Sequence, residues 1–142
     1  MRAKLREIAE KSGSDPRGAI LSAVGDVSWF KVARYRILVG TYVRPEKTAG
    51  GIILADTSLQ EDRFQGKVGL VLAMGPLAFS DDNEFRGVKA DIGDWVVYDP
   101  ADTYELFIID RNSVKTSGSS TSCRMMEDVN VKAIIDDPLR IW

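Results

Sequence analysis

The most distinctive candidate site in the sequence is suited to binding a partner. An apolar triplet follows a pair of glycines, with charged or polar residues on both sides: Gly50, Gly51, Ile52, Ile53 and Leu54. Glycine leaves the backbone free to bend, whereas an uninterrupted apolar run is typical of a buried strand. The pattern therefore predicts either a β-hairpin with a buried second strand or a flexible loop that presents apolar side chains to a partner.

Side chains that usually carry out bond chemistry or bind metals are scarce. The chain has no histidine, which excludes a Ser-His-Asp triad, an imidazole base and histidine metal ligands. Its one cysteine, Cys123, permits neither an intrachain disulfide nor a cysteine-rich zinc site, and we expect a structural thiol there. We therefore predict a protein that is not an enzyme, with no catalytic residues, metal or cofactor.

An acidic stretch is the remaining candidate for chemistry. It consists of Ser80, Asp81, Asp82, Asn83 and Glu84. Paired carboxylates can hold a cation, but hard cations need several converging oxygen ligands. We therefore interpret this stretch as a solvated loop.

The elements that must position these residues are mostly strands. Alternating apolar residues and Gly or Pro breaks predict five of them: Tyr35–Val43, Lys67–Met74, Asp94–Tyr98, Tyr104–Asp110 and Asn130–Asp136. The aromatic and β-branched residues of the third and fourth are typical of buried strands. The residues at 112–122, rich in Ser and Thr, predict a surface loop. Short strands at this spacing indicate a mainly β fold, a small barrel or sandwich.

The first 33 residues have a helical pattern instead. Arg2–Lys11 is a short amphipathic segment, and a second helix is predicted to begin at Pro16, with Asp15 as its cap, and to end at Gly25. We expect this N-terminal extension either to pack against the outside of the barrel or to serve as a docking arm.

Composition limits the possible partners and the compartment. The 142 residues fit one compact domain, and 19 basic against 21 acidic residues leave a net charge of −2. This balance predicts neither a nucleic-acid nor a membrane partner. No apolar stretch is long enough to span a bilayer, so we expect a cytoplasmic protein.

Residues 34 to 110 resemble the GroES-like co-chaperonins, and the similarity resumes at Cys123–Asp136. It rests on the loop Lys-Thr-Ala-Gly-Gly-Ile-Ile-Leu at 47–54, the Gly-Lys-Val start of a strand at 66–68, and Gly-Asp-x-Val-x-Tyr at 93–98. The resemblance implies a β-barrel over 34–142 with a mobile loop at 44–64, and the sequence adds an apolar tail at 137–142.

The resemblance also implies a function. Members of this family form a heptameric lid on a double-ring, ATP-driven chaperonin, and their mobile loops bind the ring. By position, the contact residues are Gly50, Gly51, Ile52, Ile53 and Leu54. Terminal strands join neighbouring subunits in such lids, which makes these residues candidates for a homo-oligomer interface: Ile37, Val39, Ile134, Ile135, Ile141 and Trp142. The tail residues Ile141 and Trp142 fit equally well against the chain's own barrel.

Several features depart from the family pattern. They are the helical extension, the long Ser/Thr-rich loop, the apolar tail, and Ala55 where a proline is common. Divergent co-chaperonins of this kind are encoded by some bacteriophages, which would place the protein in the host cytoplasm. A barrel with apolar appendages also fits a bacteriophage decoration protein that contacts shell proteins of the virion, and this alternative stays open.

Overall fold

The computed structural model describes residues 16–43, 67–110 and 120–140. Its helices and strands, in chain order, are α1 (Pro16–Val24), β1 (Arg36–Thr41), β2 (Val68–Met74), α2 (Asp82–Phe85), β3 (Trp95–Tyr98), β4 (Tyr104–Ile108), β5 (Thr121–Glu127) and β6 (Val131–Ile135). Short 3₁₀ helices lie at Pro100–Asp102, Asp128–Asn130 and Pro138–Arg140. The mainly β fold predicted from the sequence is confirmed.

The six strands form one sheet in the order β4-β5-β1-β2-β3-β6, and all neighbouring strands are antiparallel. The two central strands pair with Val39 opposite Val71, next to a bulge between Leu38 and Val39. Each of the five predicted strands is present, and each of its ends lies at the predicted residue or at most two residues inside it. Local alternation was therefore sufficient to locate these strands.

Both faces of β1 and β2 are buried. One core cluster combines Leu38, Leu70 and Leu72 with Leu21 and Val24 of α1. The cluster on the opposite face contains Ile37, Val39, Val71, Val96 and Phe79. Because α1 covers a face that would otherwise meet water, residues 16–33 of the N-terminal extension share a core with the sheet. Of the two expectations for the extension, packing is the one that this described part supports.

Helix α1 has the predicted bounds because of local backbone chemistry. It begins at Pro16, whose missing N–H is not needed in the first turn. It ends before Gly25, which adopts a left-handed φ of +67° and donates its N–H to the carbonyl of Leu21 at 3.1 Å. Asp15, the predicted cap, and the predicted helix at Arg2–Lys11 lie outside the described residues.

The end of the chain differs from the prediction. Asn130–Asp136 was the one strand predicted after residue 110, but a further strand, β5, precedes β6 and is separated from it by the 3₁₀ turn Asp128–Asn130. The turn is held by the buried Asn130 amide, which donates to the carbonyls of Asp99 and Asp102 at 3.0 and 3.3 Å and accepts the Asp99 N–H at 3.1 Å. The predicted loop at 112–122 was wrong at its C-terminal end, because Thr121 and Ser122 belong to β5.

Strand β4 is more exposed than predicted. Tyr104 is 68% exposed and Phe107 is 46% exposed, although aromatic content suggested a buried strand. The reason is the position of β4 at one edge of the described sheet, where it pairs with β5 alone among the described strands.

Asp128 supports a strained turn at Phe79, which belongs to the core cluster that contains Ile37 and Val39. Its buried carboxylate accepts the backbone N–H of Phe79 at 2.9 Å, and Phe79 has a left-handed φ of +57°. We expect Asp128→Ala to lower the free energy of unfolding by about 1–3 kcal/mol, because a buried N–H loses its acceptor. Asp128→Asn retains an acceptor oxygen and should lose less. Urea denaturation of both variants tests this, and equal losses would contradict a role for the hydrogen bond.

Candidate partner-binding site

The predicted contact residues Gly50, Gly51, Ile52, Ile53 and Leu54 lie outside the described residues, but both ends of their segment are described. The Tyr42 N–H donates to the carbonyl of Val68 at 3.0 Å, and the Tyr98 N–H donates to the carbonyl of Lys67 at 2.8 Å. Residues 44–66 therefore connect two neighbouring antiparallel strands, and each end of the connection is fixed to the sheet.

Side-chain packing holds the same region together. The ring of Tyr42 meets the ring of Trp95 edge to face, with centroids 5.7 Å apart and planes at 81°. Both side chains are buried. On β2, a Cβ at Gly69 would lie 2.8 Å from Cγ2 of Val39, so glycine permits β1 and β2 to approach closely here. The contact joins Tyr42, the residue after β1, to Trp95 at the start of β3 across 53 positions of sequence, and no local pattern predicted it.

Tyr98, the last residue of β3, belongs to the same end of the sheet. Burial raises the pKa of its hydroxyl to about 12, although the nearby positive charge of Arg124 acts in the opposite direction. The phenol therefore remains protonated at neutral pH and serves as a packed, neutral side chain.

The candidates for bond chemistry have structural roles. Cys123 is fully buried in β5, and burial raises the pKa of its thiol to about 12, so that the unreactive protonated form prevails at neutral pH. Among residues 16–43, 67–110 and 120–140, no group of three or more His, Cys, Asp or Glu side chains is arranged to hold a metal ion.

The acidic stretch at 80–84 is partly helical and not only a loop. Asp81 caps α2 by accepting the N–H groups of Asn83 and Glu84 at 3.0 and 3.2 Å. Asp82 is exposed and pairs with Lys89, whose hydrogen bond and positive charge lower the pKa of the Asp82 carboxyl. These carboxylates therefore serve the chain's own local structure.

The candidate interface residues separate into three groups. Ile37 and Val39 are completely buried in the chain's own core, which leaves them no surface to offer a neighbour. Ile134 and Ile135 are half-buried in β6, at the edge of the described sheet opposite to β4. Ile141 and Trp142 lie outside the described residues. Alternation alone could not separate these groups, because it does not reveal which faces later become covered.

A single antiparallel sheet with a long connection between its two central strands describes a small β protein, and the candidate site lies within that connection. Residues 30–133 match the family model of the chaperonin 10 kDa subunit. The chain therefore belongs to this family, and the GroES-like resemblance of the sequence is confirmed. Helix α1 precedes the matched region.

Two curated relatives are similar to part of the chain. The co-chaperonin GroES of Tetragenococcus halophilus is 34% identical over 64 residues, which are 45% of this chain and 64% of that protein. The co-chaperonin GroES of Parvibaculum lavamentivorans is 38% identical over 69 residues, 49% of this chain and 62% of that protein. The chain thus spans a little less than two thirds of either relative. In the described part of the chain, neither helix has the length and apolar character needed to cross a membrane.

Proposed function

We propose that this protein is a co-chaperonin: a lid that binds the apical face of a double-ring chaperonin through the recognition loop, residues 44–64, and so assists protein folding in the cytoplasm. The observation that carries the proposal is the family match over 30–133, which includes the whole loop and both of its anchored ends. Two co-chaperonins among the similar proteins support it. In this proposal Gly50 and Gly51 allow the loop to bend, while Ile52, Ile53 and Leu54 contact the ring.

The expected strength of one loop suits a lid that must be released. Burying three aliphatic side chains contributes roughly 5–9 kcal/mol before any opposing term. Ordering a flexible loop opposes this with about 2–5 kcal/mol. One loop is therefore a weak ligand, and several loops on one lid are needed for useful avidity. Weak individual contacts also permit dissociation in each cycle.

The avidity requirement implies a homo-oligomer, and seven subunits is the number that we propose. Among the candidate interface residues that the structure describes, Ile134 and Ile135 of the edge strand β6 are the ones that keep part of their surface exposed for a subunit contact. The near-neutral charge, with 19 basic and 21 acidic residues, agrees with partners other than nucleic acid or membrane.

The virion decoration protein has no specific support among the described residues, and neither similar protein is described in those terms. It therefore remains an outcome of the experiment and not a second proposal.

Two measurements test the lid. Light scattering at micromolar concentration should give a mass near seven times 15.7 kDa. A purified double-ring chaperonin should capture the protein in the presence of ATP and release it when nucleotide is withdrawn. A monomer that the ring does not capture under either condition would overturn the proposal.

A further inference from the structure

The described residues contain a buried polar cluster at the end of the sheet where the recognition loop begins. It runs across three strands and the turn before β4, and consists of Thr41, Ser122, Glu105, Arg124 and Thr103. Arg124 carries the positive charge of the cluster, and its side chain is only 6% exposed. The Glu105 side chain is 23% exposed, so the ion pair reaches from the interior toward the surface.

The contacts form a continuous path from the charge to the loop base. The Arg124 guanidinium donates to Thr103 Oγ1 at 2.7 Å and lies 3.3 Å from Glu105 Oε2. The Ser122 hydroxyl lies 3.4 Å from the same carboxylate oxygen and 3.3 Å from Thr41 Oγ1. The single proton of the Ser122 hydroxyl therefore lies within donating distance of both Thr41 Oγ1 and Glu105 Oε2.

Thr41 lies where the backbone pairing between β1 and β5 ends. The ladder between β1 and β5 ends with Gly40 opposite Cys123. Beyond that pair, the Thr41–Ser122 contact is the described link that continues the attachment of β1 to β5. The next residue is Tyr42, whose N–H closes the loop base on Val68. The side-chain cluster therefore extends the attachment of β1 to β5 as far as Thr41, the residue before the loop base at Tyr42.

An ion pair with one almost fully buried partner needs an explanation beyond stability. Removing the Arg124 charge from water is unfavourable, and well-packed apolar residues of similar volume are often as stable or more stable. Buried polar networks can instead select one arrangement of the chain, since every alternative leaves groups unsatisfied. This network lies beside Tyr42, so the arrangement that it would select is the one in which the Tyr42 N–H pairs with the carbonyl of Val68.

We propose that Arg124 and Glu105 are positioning residues that act through Ser122 and Thr41 to hold the base of the recognition loop closed. The relevance of this device to partner binding rests on the proposed co-chaperonin function. The device itself is a property of the free protein and can be tested without a partner.

Amide hydrogen exchange on the free protein tests the network directly. The Tyr42 amide reports on the loop base, and the Val71 amide, which donates to Asp94 at 2.9 Å, reports on the middle of β2. Ser122→Ala breaks the link to Thr41 while leaving both contacts of Arg124. We expect it to raise Tyr42 exchange by about tenfold relative to Val71 exchange, because local opening becomes easier without general destabilisation.

Thr103→Val is the matched control. It removes the hydrogen bond from Arg124 at the opposite end of the network and leaves Glu105, Ser122 and Thr41 in contact. It should therefore change Tyr42 and Val71 exchange by the same factor. Arg124→Met should raise Tyr42 exchange selectively, because Glu105 loses its counter-charge, and Arg124→Lys should restore much of the protection.

The outcomes are distinct from those of the ring experiment. If Ser122→Ala changes both amides equally, or if Thr103→Val has the same selective effect, the network is merely structural and the inference is overturned. Should Arg124→Met fail to fold, Ser122→Ala and its control still decide. Absence of ring capture by the unmodified protein would overturn the lid and leave the exchange result unaffected.

Discussion

Ile53→Asp is expected to abolish capture by the chaperonin ring while leaving the fold intact. In the proposed lid, Ile53 is solvated in the free protein and buried in an apolar groove of the ring when bound. A carboxylate without a partner is strongly disfavoured in such a groove, and the effect is repeated at every loop of the oligomer. We expect affinity for the ring to fall by at least about 100-fold, with a change in unfolding free energy of no more than about 0.5 kcal/mol.

Val88→Asp is the matched control for this variant. Val88 is 63% exposed and lies outside the recognition loop, so it receives the same charge in a different place. It should bind the ring like the unmodified protein. If Ile53→Asp instead lowers stability by several kcal/mol, the apolar triplet is a buried strand. If the unmodified protein also fails to bind the ring, the result would favour the alternative, a virion decoration protein.

Leu72→Ala is expected to have the largest effect on folding. Leu72 is fully buried on the face of β2 that α1 covers. The helix approaches closely at this point, since a Cβ at Gly40 would lie 2.6 Å from Cγ2 of Ile20 and 3.4 Å from Cδ1 of Leu72. Truncation leaves a cavity between α1 and the sheet, so the free energy of unfolding should fall by about 2–5 kcal/mol.

Leu139→Ala makes the same chemical change at a residue that is 60% exposed. Its unfolding free energy should stay within about 0.5 kcal/mol of the parent value. Urea denaturation of both variants, with amide exchange of α1, separates the two sites. A small effect of Leu72→Ala with unchanged exchange in α1 would show that the helix is not part of the core.

The sequence was sufficient wherever short-range chemistry decides the structure. The five predicted strands follow from alternation of side chains between two faces, interrupted by Gly and Pro. The bounds of α1 follow from Pro16 and Gly25, because capping and φ preference act within a few residues. The family could also be inferred from the sequence, since the motifs at 47–54, 66–68 and 93–98 are contiguous stretches.

Tertiary structure decided every feature that depends on residues far apart in the chain. Asn130 separates β5 from β6 by bonding to residues 99 and 102, and Asp128 fixes the turn at Phe79. Ile37 and Val39 were interface candidates by resemblance to the family, yet both are completely buried in a core cluster with Val71, Phe79 and Val96. The Arg124 network joins positions 41, 103, 105, 122 and 124. Side-chain periodicity specifies that a face will be apolar, but what covers that face, and which polar groups meet beneath it, is determined only when distant segments pack together.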